Sequence, residues 1–184
     1  MEVTIMPNYI ALLRGINVSG QKKIKMADLR SHLSDLGLSG VQTYIQSGNI
    51  TFKSPAMPEE DLAATIRKKI MKAYGFEVPT LVISAATFQK IAAANPFTEA
   101  AGTDPARMLI TFLEKVPGAE ATGVFAQMNF PNEHFQLIGK AVYLYCPNGY
   151  GRAKLNNNFI ERKLNVPATT RNWKTVLKLL DMAG

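Results

Sequence analysis

Cysteine is almost missing from this sequence. Cys146 stands alone among 184 residues, so no internal disulfide can form, and a cytoplasmic, reducing location is the expectation. Long apolar runs are missing too. No window approaches the roughly 20 residues that a membrane helix needs, and Met1 to Pro7 carries neither a basic nor an apolar leader pattern, so no membrane contact is expected. Histidine is confined to His32 and His134, neither in a Cys, Asp and Glu set with ligand spacing, which argues against a metal site. There is no Gly-x-Ser-x-Gly elbow, and Cys146 lies in an apolar strand pattern, where it packs rather than attacks. The residues call for no cofactor. Enzyme status stays open, because chemistry run by Arg and Asn side chains or by a bound cofactor leaves no such signature.

Negative charge is the remaining scarcity: 14 Asp and Glu oppose 21 Lys and Arg. The imbalance is local. Between Arg14 and Arg30 five basic residues face Asp28 alone, and between Lys140 and Lys178 eight face Glu161 alone. The rest of the chain is net acidic. Two basic segments of this kind fit an anionic partner such as nucleic acid, nucleotide or another phosphate, and equally a solvated basic surface.

The apolar patterning reads as α+β. Tyr9 to Leu13 is a buried strand; Met26, Leu29, Leu33 and Leu36 form a helical stripe ended by Gly37. Alternation from Val41 to Ile45 and from Ile50 to Phe52 predicts a hairpin turning at Gly48-Asn49. Pro58, the acids Glu59 to Asp61 and the ridge Leu62, Ile66, Ile70 and Tyr74 predict a second helix up to Gly75, followed by a strand at Val78 to Ile83. This β-α-β-β-α-β order is ferredoxin-like, with helices on one sheet face and the other face open. Ser84 caps a short helix that stops before Asn95-Pro96.

The order then restarts with a strand at Met108 to Leu113, a weak helix around Val124 to Met128, and a hairpin at Phe135 to Leu144 turning on Gly139-Lys140. A helix follows near Phe159 to Leu164. Thr170 is expected to cap a last helix whose Trp173, Val176, Leu177 and Leu180 form its buried stripe. The expected fold class is therefore two ferredoxin-like (βαββα-type) halves with antiparallel sheets. Residues 1–94 form the first, residues 95–184 the second with the C-terminal helix, together one compact unit.

Three segments carry candidate chemistry. The loop Arg14-Gly15-Ile16-Asn17-Val18-Ser19-Gly20-Gln21-Lys22-Lys23 joins a strand to a helix, where backbone N–H groups and a helix terminus can hold an anion. It is no Walker A loop, since Gly20 is followed by Gln21 rather than by Lys and then Ser or Thr. It serves equally as a loop needing glycine for its backbone. The hairpin strand at Ser47 to Phe52 lacks the RRM signature, and its outward Gln42, Tyr44, Gln46, Thr51 and Lys53 are read as packing positions. The segment Gly149-Tyr150-Gly151-Arg152-Ala153-Lys154 offers two cations beside glycines, then Asn156 to Asn158 to cap a helix.

Arg14-Gly15-Ile16-Asn17-Val18 after an apolar strand, Gln46-Ser47-Gly48-Asn49 at the hairpin, and Thr170-Arg171-Asn172-Trp173-x-Thr175 resemble the bacterial family known as domain of unknown function 1697 (DUF1697). The resemblance runs from about Tyr9 to Leu180. It implies two ferredoxin-like repeats and brings no activity, ligand or catalytic residue.

The leading functional reading is a module that binds a phosphate-bearing ligand, nucleic acid or nucleotide. Its ligand-binding candidates are Arg14, Gly15, Asn17, Gly20, Lys22, Lys23, Asn49, Arg152, Lys154, Arg171 and Asn172. On this reading Arg14, Lys22 and Lys23 meet at least one of Arg152, Lys154 and Arg171 in space. The alternatives are a small-molecule enzyme with a pocket between the halves and a structural or oligomerising module.

Overall fold

The structure, a computed structural model, describes residues 5–184. The first repeat holds β1 (Asn8–Leu13), α1 (Met26–Ser34), β2 (Ser39–Tyr44), β3 (Asn49–Lys53), α2 (Glu59–Tyr74), β4 (Thr80–Ser84) and α3 (Ala85–Ala93). The second holds β5 (Met108–Leu113), α4 (Ala119–Ala126), β6 (His134–Ile138), β7 (Ala141–Tyr145), α5 (Asn157–Leu164), β8 (Ala168–Asn172) and α6 (Trp173–Ala183). Each repeat makes a four-stranded sheet, in the orders β2-β3-β1-β4 and β6-β7-β5-β8, and every pairing is antiparallel. This is the ferredoxin-like arrangement twice over.

The chain divides into two compact units, residues 1–89 with 178–184, and residues 90–177. In the first, Tyr9, Ala11 and Leu13 of β1 and Ile50 and Phe52 of β3 bury against Met26, Leu29 and Leu33 of α1 and Leu62, Ile66 and Ile70 of α2. In the second, Leu109 and Leu113 of β5 and Val142 and Leu144 of β7 bury against Phe125 of α4 and Ile160 and Leu164 of α5. The stripes read from the sequence for α1 and α2 are thus the stripes that pack. α2 ends as expected at Gly75, whose φ of 77° is the left-handed C-cap. Asn156 caps α5 by accepting from Phe159 N at 3.0 Å.

The repeat extends to single hydrogen bonds. Leu13 N donates to Gly48 O at 2.8 Å and Arg14 N to Pro79 O at 3.0 Å; in the second repeat Leu113 N donates to Lys140 O at 2.9 Å and Glu114 N to Pro167 O at 3.0 Å. Each acceptor proline follows a buried valine, Val78 or Val166, and leads into the last strand of its sheet. The paired Val-Pro steps carry the repeat into the side chains.

Five expectations are corrected. First, neither sheet leaves a face open: Ile10, Leu12 and Ile83 point away from the cluster under α1 and α2, as do Met108, Ile110, Phe112 and Tyr143 in the second sheet, and all are buried. Of the positions read as packing, Thr51 is buried at 4% exposure, whereas Gln42, Gln46 and Lys53 are exposed. Second, the first hairpin turns through residues 45–48, because Asn49 already pairs with Tyr44 and with Leu12. Third, residues 168–172 form β8 rather than a helix approach. Thr169 and Thr170 are β-branched, and the Thr170 hydroxyl meets that of Thr111 at 2.7 Å across the ladder. Fourth, the α6 cap is therefore Asn172, whose Oδ1 accepts from Thr175 N at 2.8 Å. Fifth, the buried stripe of α6 is Val176, Leu179 and Ala183, while Leu177 is 48% exposed and Trp173 is only partly buried. No helix among the described residues is long and apolar enough to cross a membrane.

Candidate functional site

In the first unit the loop after β1 is a folded knot of its own. Gly15, Asn17, Ser19, Gly20 and Lys22 all have φ between 45° and 75°, three of them without being glycine. Left-handed backbone at the three residues that are not glycine costs about 1 to 3 kcal/mol each and persists only when the surroundings fix it. Asn17 does the fixing. Its Nδ2 donates to Ile24 O at 3.0 Å and to Gln46 O at 2.8 Å, and its Oδ1 accepts from Ile24 N at 2.9 Å. The loop is thereby closed on itself and tied to the β2–β3 turn, where Ile45 is also left-handed at φ 50°.

Several sequence candidates are thus structural parts. Asn17 has its amide engaged by backbone. Asn49 is fully buried, and its Nδ2 donates to Tyr44 O at 3.0 Å and Ser47 Oγ at 2.9 Å, which shapes the turn. Lys22 Nζ donates to Glu77 O at 2.7 Å and lies 6.0 Å from the centre of the Phe76 ring, so it is latched to the segment before β4. Arg14 is half-buried at the end of β1, Gly15 and Gly20 supply turns, and Lys23 is exposed.

In the second unit a cavity of about 480 Å³ opens between the Arg107 end of β5 and the segments 130–133, 146–149 and 152–154. Arg152 and Lys154, two of the sequence candidates, line it together with Arg107. The cavity is held in shape by buried anchors. Glu133 Oε1 accepts from Lys154 N at 2.7 Å and Oε2 from Leu155 N at 3.3 Å, so the one carboxylate in the wall is engaged by backbone. The Tyr150 hydroxyl accepts from Asn157 N at 2.7 Å, and Asn157 in turn accepts from the Thr170 hydroxyl at 2.8 Å. Gly149, at φ 88°, has Arg107 Nη1 only 3.0 Å from where a Cβ would sit. Among the described residues the side chains of Arg107, Arg152 and Lys154 make no hydrogen bond or ion pair.

Arg171 and Asn172 do not line this cavity. Arg171 Nη1 donates to Thr170 O at 3.0 Å, and burial pulls its pKa down to about 10, which leaves it cationic at neutral pH. Asn172 is engaged as the α6 cap. Arg14, Gly15, Asn17, Gly20, Lys22, Lys23 and Asn49 belong to the first unit and Arg152, Lys154, Arg171 and Asn172 to the second. Sequence reasoning missed Arg107, which stands outside both basic segments; its signal was only its place at the head of an apolar strand. Among the described residues no group of three His, Cys, Asp or Glu side chains is placed to hold a metal ion.

Cys146 borders the cavity, and burial, then the charge of Glu133, pushes its thiol up to about 11. The thiol is protonated and unreactive at neutral pH. Burial also pushes Tyr143 up to about 12, where its hydroxyl donates to Ile91 O at 2.7 Å. Both groups keep in the folded state a proton that the unfolded chain loses from its ordinary pKa, 9.0 for the thiol and 10.0 for the phenol. Their contribution to stability is complete below pH 9 and is lost as pH climbs through the folded values. Urea unfolding followed at pH 8 and about pH 10.5 should show the midpoint falling at the higher pH; a midpoint that holds or rises contradicts the assignment.

A family model described as "Protein of unknown function (DUF1697)" matches residues 6–143. The match takes in the Arg14 loop and the β2–β3 turn and ends before the Thr170 to Thr175 motif and before Arg152 and Lys154. No curated protein matches the chain. Among solved structures, a conserved bacterial protein, SP0830 from Streptococcus pneumoniae, is similar with a TM-score of 0.72 and 27% identity, over 98% of this chain and 100% of that one.

Proposed function

Because the chain belongs to the DUF1697 family, whose description supplies no chemistry, we propose from its own side chains that it binds an anionic, phosphate-bearing ligand, nucleotide or nucleic acid, at the second-unit cavity. One observation carries the reading: Arg107, Arg152 and Lys154 line a single cavity, and among the described residues none of the three has an ion-pair partner. Three cations beside the single carboxylate of Glu133 leave the lining net positive, and a bound phosphate offsets that excess while accepting charge-assisted hydrogen bonds. A volume of about 480 Å³ lies in the range of small-ligand sites. Binding is favoured over catalysis at this site, since Glu133 is held by backbone N–H groups and the Cys146 thiol is protonated at neutral pH. Within this reading the protein works in the cytoplasm, a reducing compartment that suits a chain whose one cysteine is a free, buried thiol.

Calorimetric titration with inorganic pyrophosphate at low salt tests it. Wild-type protein is expected to bind, and Arg152→Ala and Lys154→Ala each to weaken binding by about tenfold, the scale of one lost charged hydrogen bond. No heat of binding in the wild type, or variants that bind as it does, would reject the reading.

A further inference from the structure

We propose that the ligand of the second-unit cavity is a mononucleotide, its phosphate held by Arg107, Arg152 and Lys154 and its base stacked on Phe130. The inference rests on the phosphate reading above and narrows it to one ligand class. Phe130 lines the same cavity as the three cations and is partly buried. Two other rings stand nearly perpendicular to it: Phe135 at 5.9 Å and 78°, and Phe159 at 5.8 Å and 88°. Contacts at nearly right angles hold a ring without laying another ring parallel to it.

The neighbouring aromatic is differently used. Phe159 carries Arg162 at 5.8 Å and Lys163 at 5.7 Å from its ring centre, so cations already occupy it. Phe130 has no cation and no parallel ring upon it among the described residues. It is the aromatic surface that the cavity offers, and a nucleobase is the planar group that accompanies a phosphate. Asn132 and Asn148, also in the lining, supply amide donors and acceptors for a base edge. The cations converge on one bounded cavity, which suits a single nucleotide better than a strand that needs a continuous basic track.

Calorimetry on the full chain at low salt separates the possibilities, using pyrophosphate, ribose 5-phosphate, the four ribonucleoside monophosphates and a hexanucleotide. At least one monophosphate is expected to bind five- to a hundredfold tighter than ribose 5-phosphate, the scale of one base stacked on an aromatic ring. Phe130→Leu should remove most of that margin and leave ribose 5-phosphate binding unchanged, with a thermal melt confirming that the variant is folded. Equal binding of monophosphates and ribose 5-phosphate by the wild type overturns the base-stacking proposal and leaves the phosphate reading standing. Tighter binding of the hexanucleotide, with a steep salt dependence, overturns it in favour of a nucleic-acid strand. Failure of every phosphate compound, pyrophosphate included, overturns both.

Discussion

Alanine at Gly48 is expected to destabilise the protein by about 2 to 5 kcal/mol, the sum of left-handed backbone strain and overpacking. Gly48 has φ 86°, and a Cβ built there would stand 2.5 Å from Leu13 Cβ and 3.0 Å from Ile16 Cδ1. The first of these atoms cannot swing aside, because Leu13 is fixed in β1 and its own N–H donates to Gly48 O at 2.8 Å. Gly75 separates the two causes: its φ is 77°, but no atom lies within 4 Å of its Cβ position. Gly75→Ala should therefore cost only the backbone strain, about 1 to 2 kcal/mol. Thermal melts of the two variants decide the matter, with Gly48→Ala falling well below Gly75→Ala. Equal losses would mean that the close approach of Leu13 contributes nothing.

The second large effect is expected at Phe125. This side chain is fully buried and meets the Phe135 ring at 4.8 Å and 63°, which fastens the short helix α4 to the sheet. Phe125→Ala removes a large ring from a close-packed site and should cost about 3 to 5 kcal/mol. Its neighbour Val124 is 58% exposed, so Val124→Ala should change stability by about 0.5 kcal/mol or less. Chemical denaturation of both variants checks the pair. A Val124→Ala loss as large as that of Phe125→Ala would place the wrong face of α4 against the core.

That contrast shows why α4 was hard to read. Residues 119–126 contain Gly123 and several alanines, and its apolar residues do not repeat along a long stripe, so the sequence pointed to Val124 to Met128 when the helix runs from Ala119 to Ala126. Where the stripe is long, pattern and structure agree: α2 runs from Glu59 to Tyr74 with Gly75 at its end, as its acids and its ridge imply. β8 was missed for the opposite reason. Ala168 to Asn172 has almost no apolar residue, and it becomes a strand because β5 offers it an edge to pair with.

The site follows the same division. Glycine-rich loops and clustered lysines and arginines are visible in a sequence, so Arg14, Lys22, Lys23, Arg152 and Lys154 could be nominated. What each side chain does depends on which backbone groups lie within 3 Å of it, and no local pattern encodes that. Asn17 and Asn49 stood among ligand candidates and proved to hold loops together; Lys22 is engaged by Glu77, 55 residues away.

Sequence alone determined the alternation of apolar residues, and with it the α+β class, the doubled β-α-β-β order and most element ends, because helix and strand periodicity are properties of neighbouring residues. Only the tertiary structure decided that both faces of each sheet are buried, that Asn172 rather than Thr170 caps α6, and that Arg107 joins Arg152 and Lys154 around one cavity. Those outcomes turn on strand pairing between distant segments, which brings Arg107 beside Gly149 through the β5–β7 ladder and leaves no trace in the spacing of either residue.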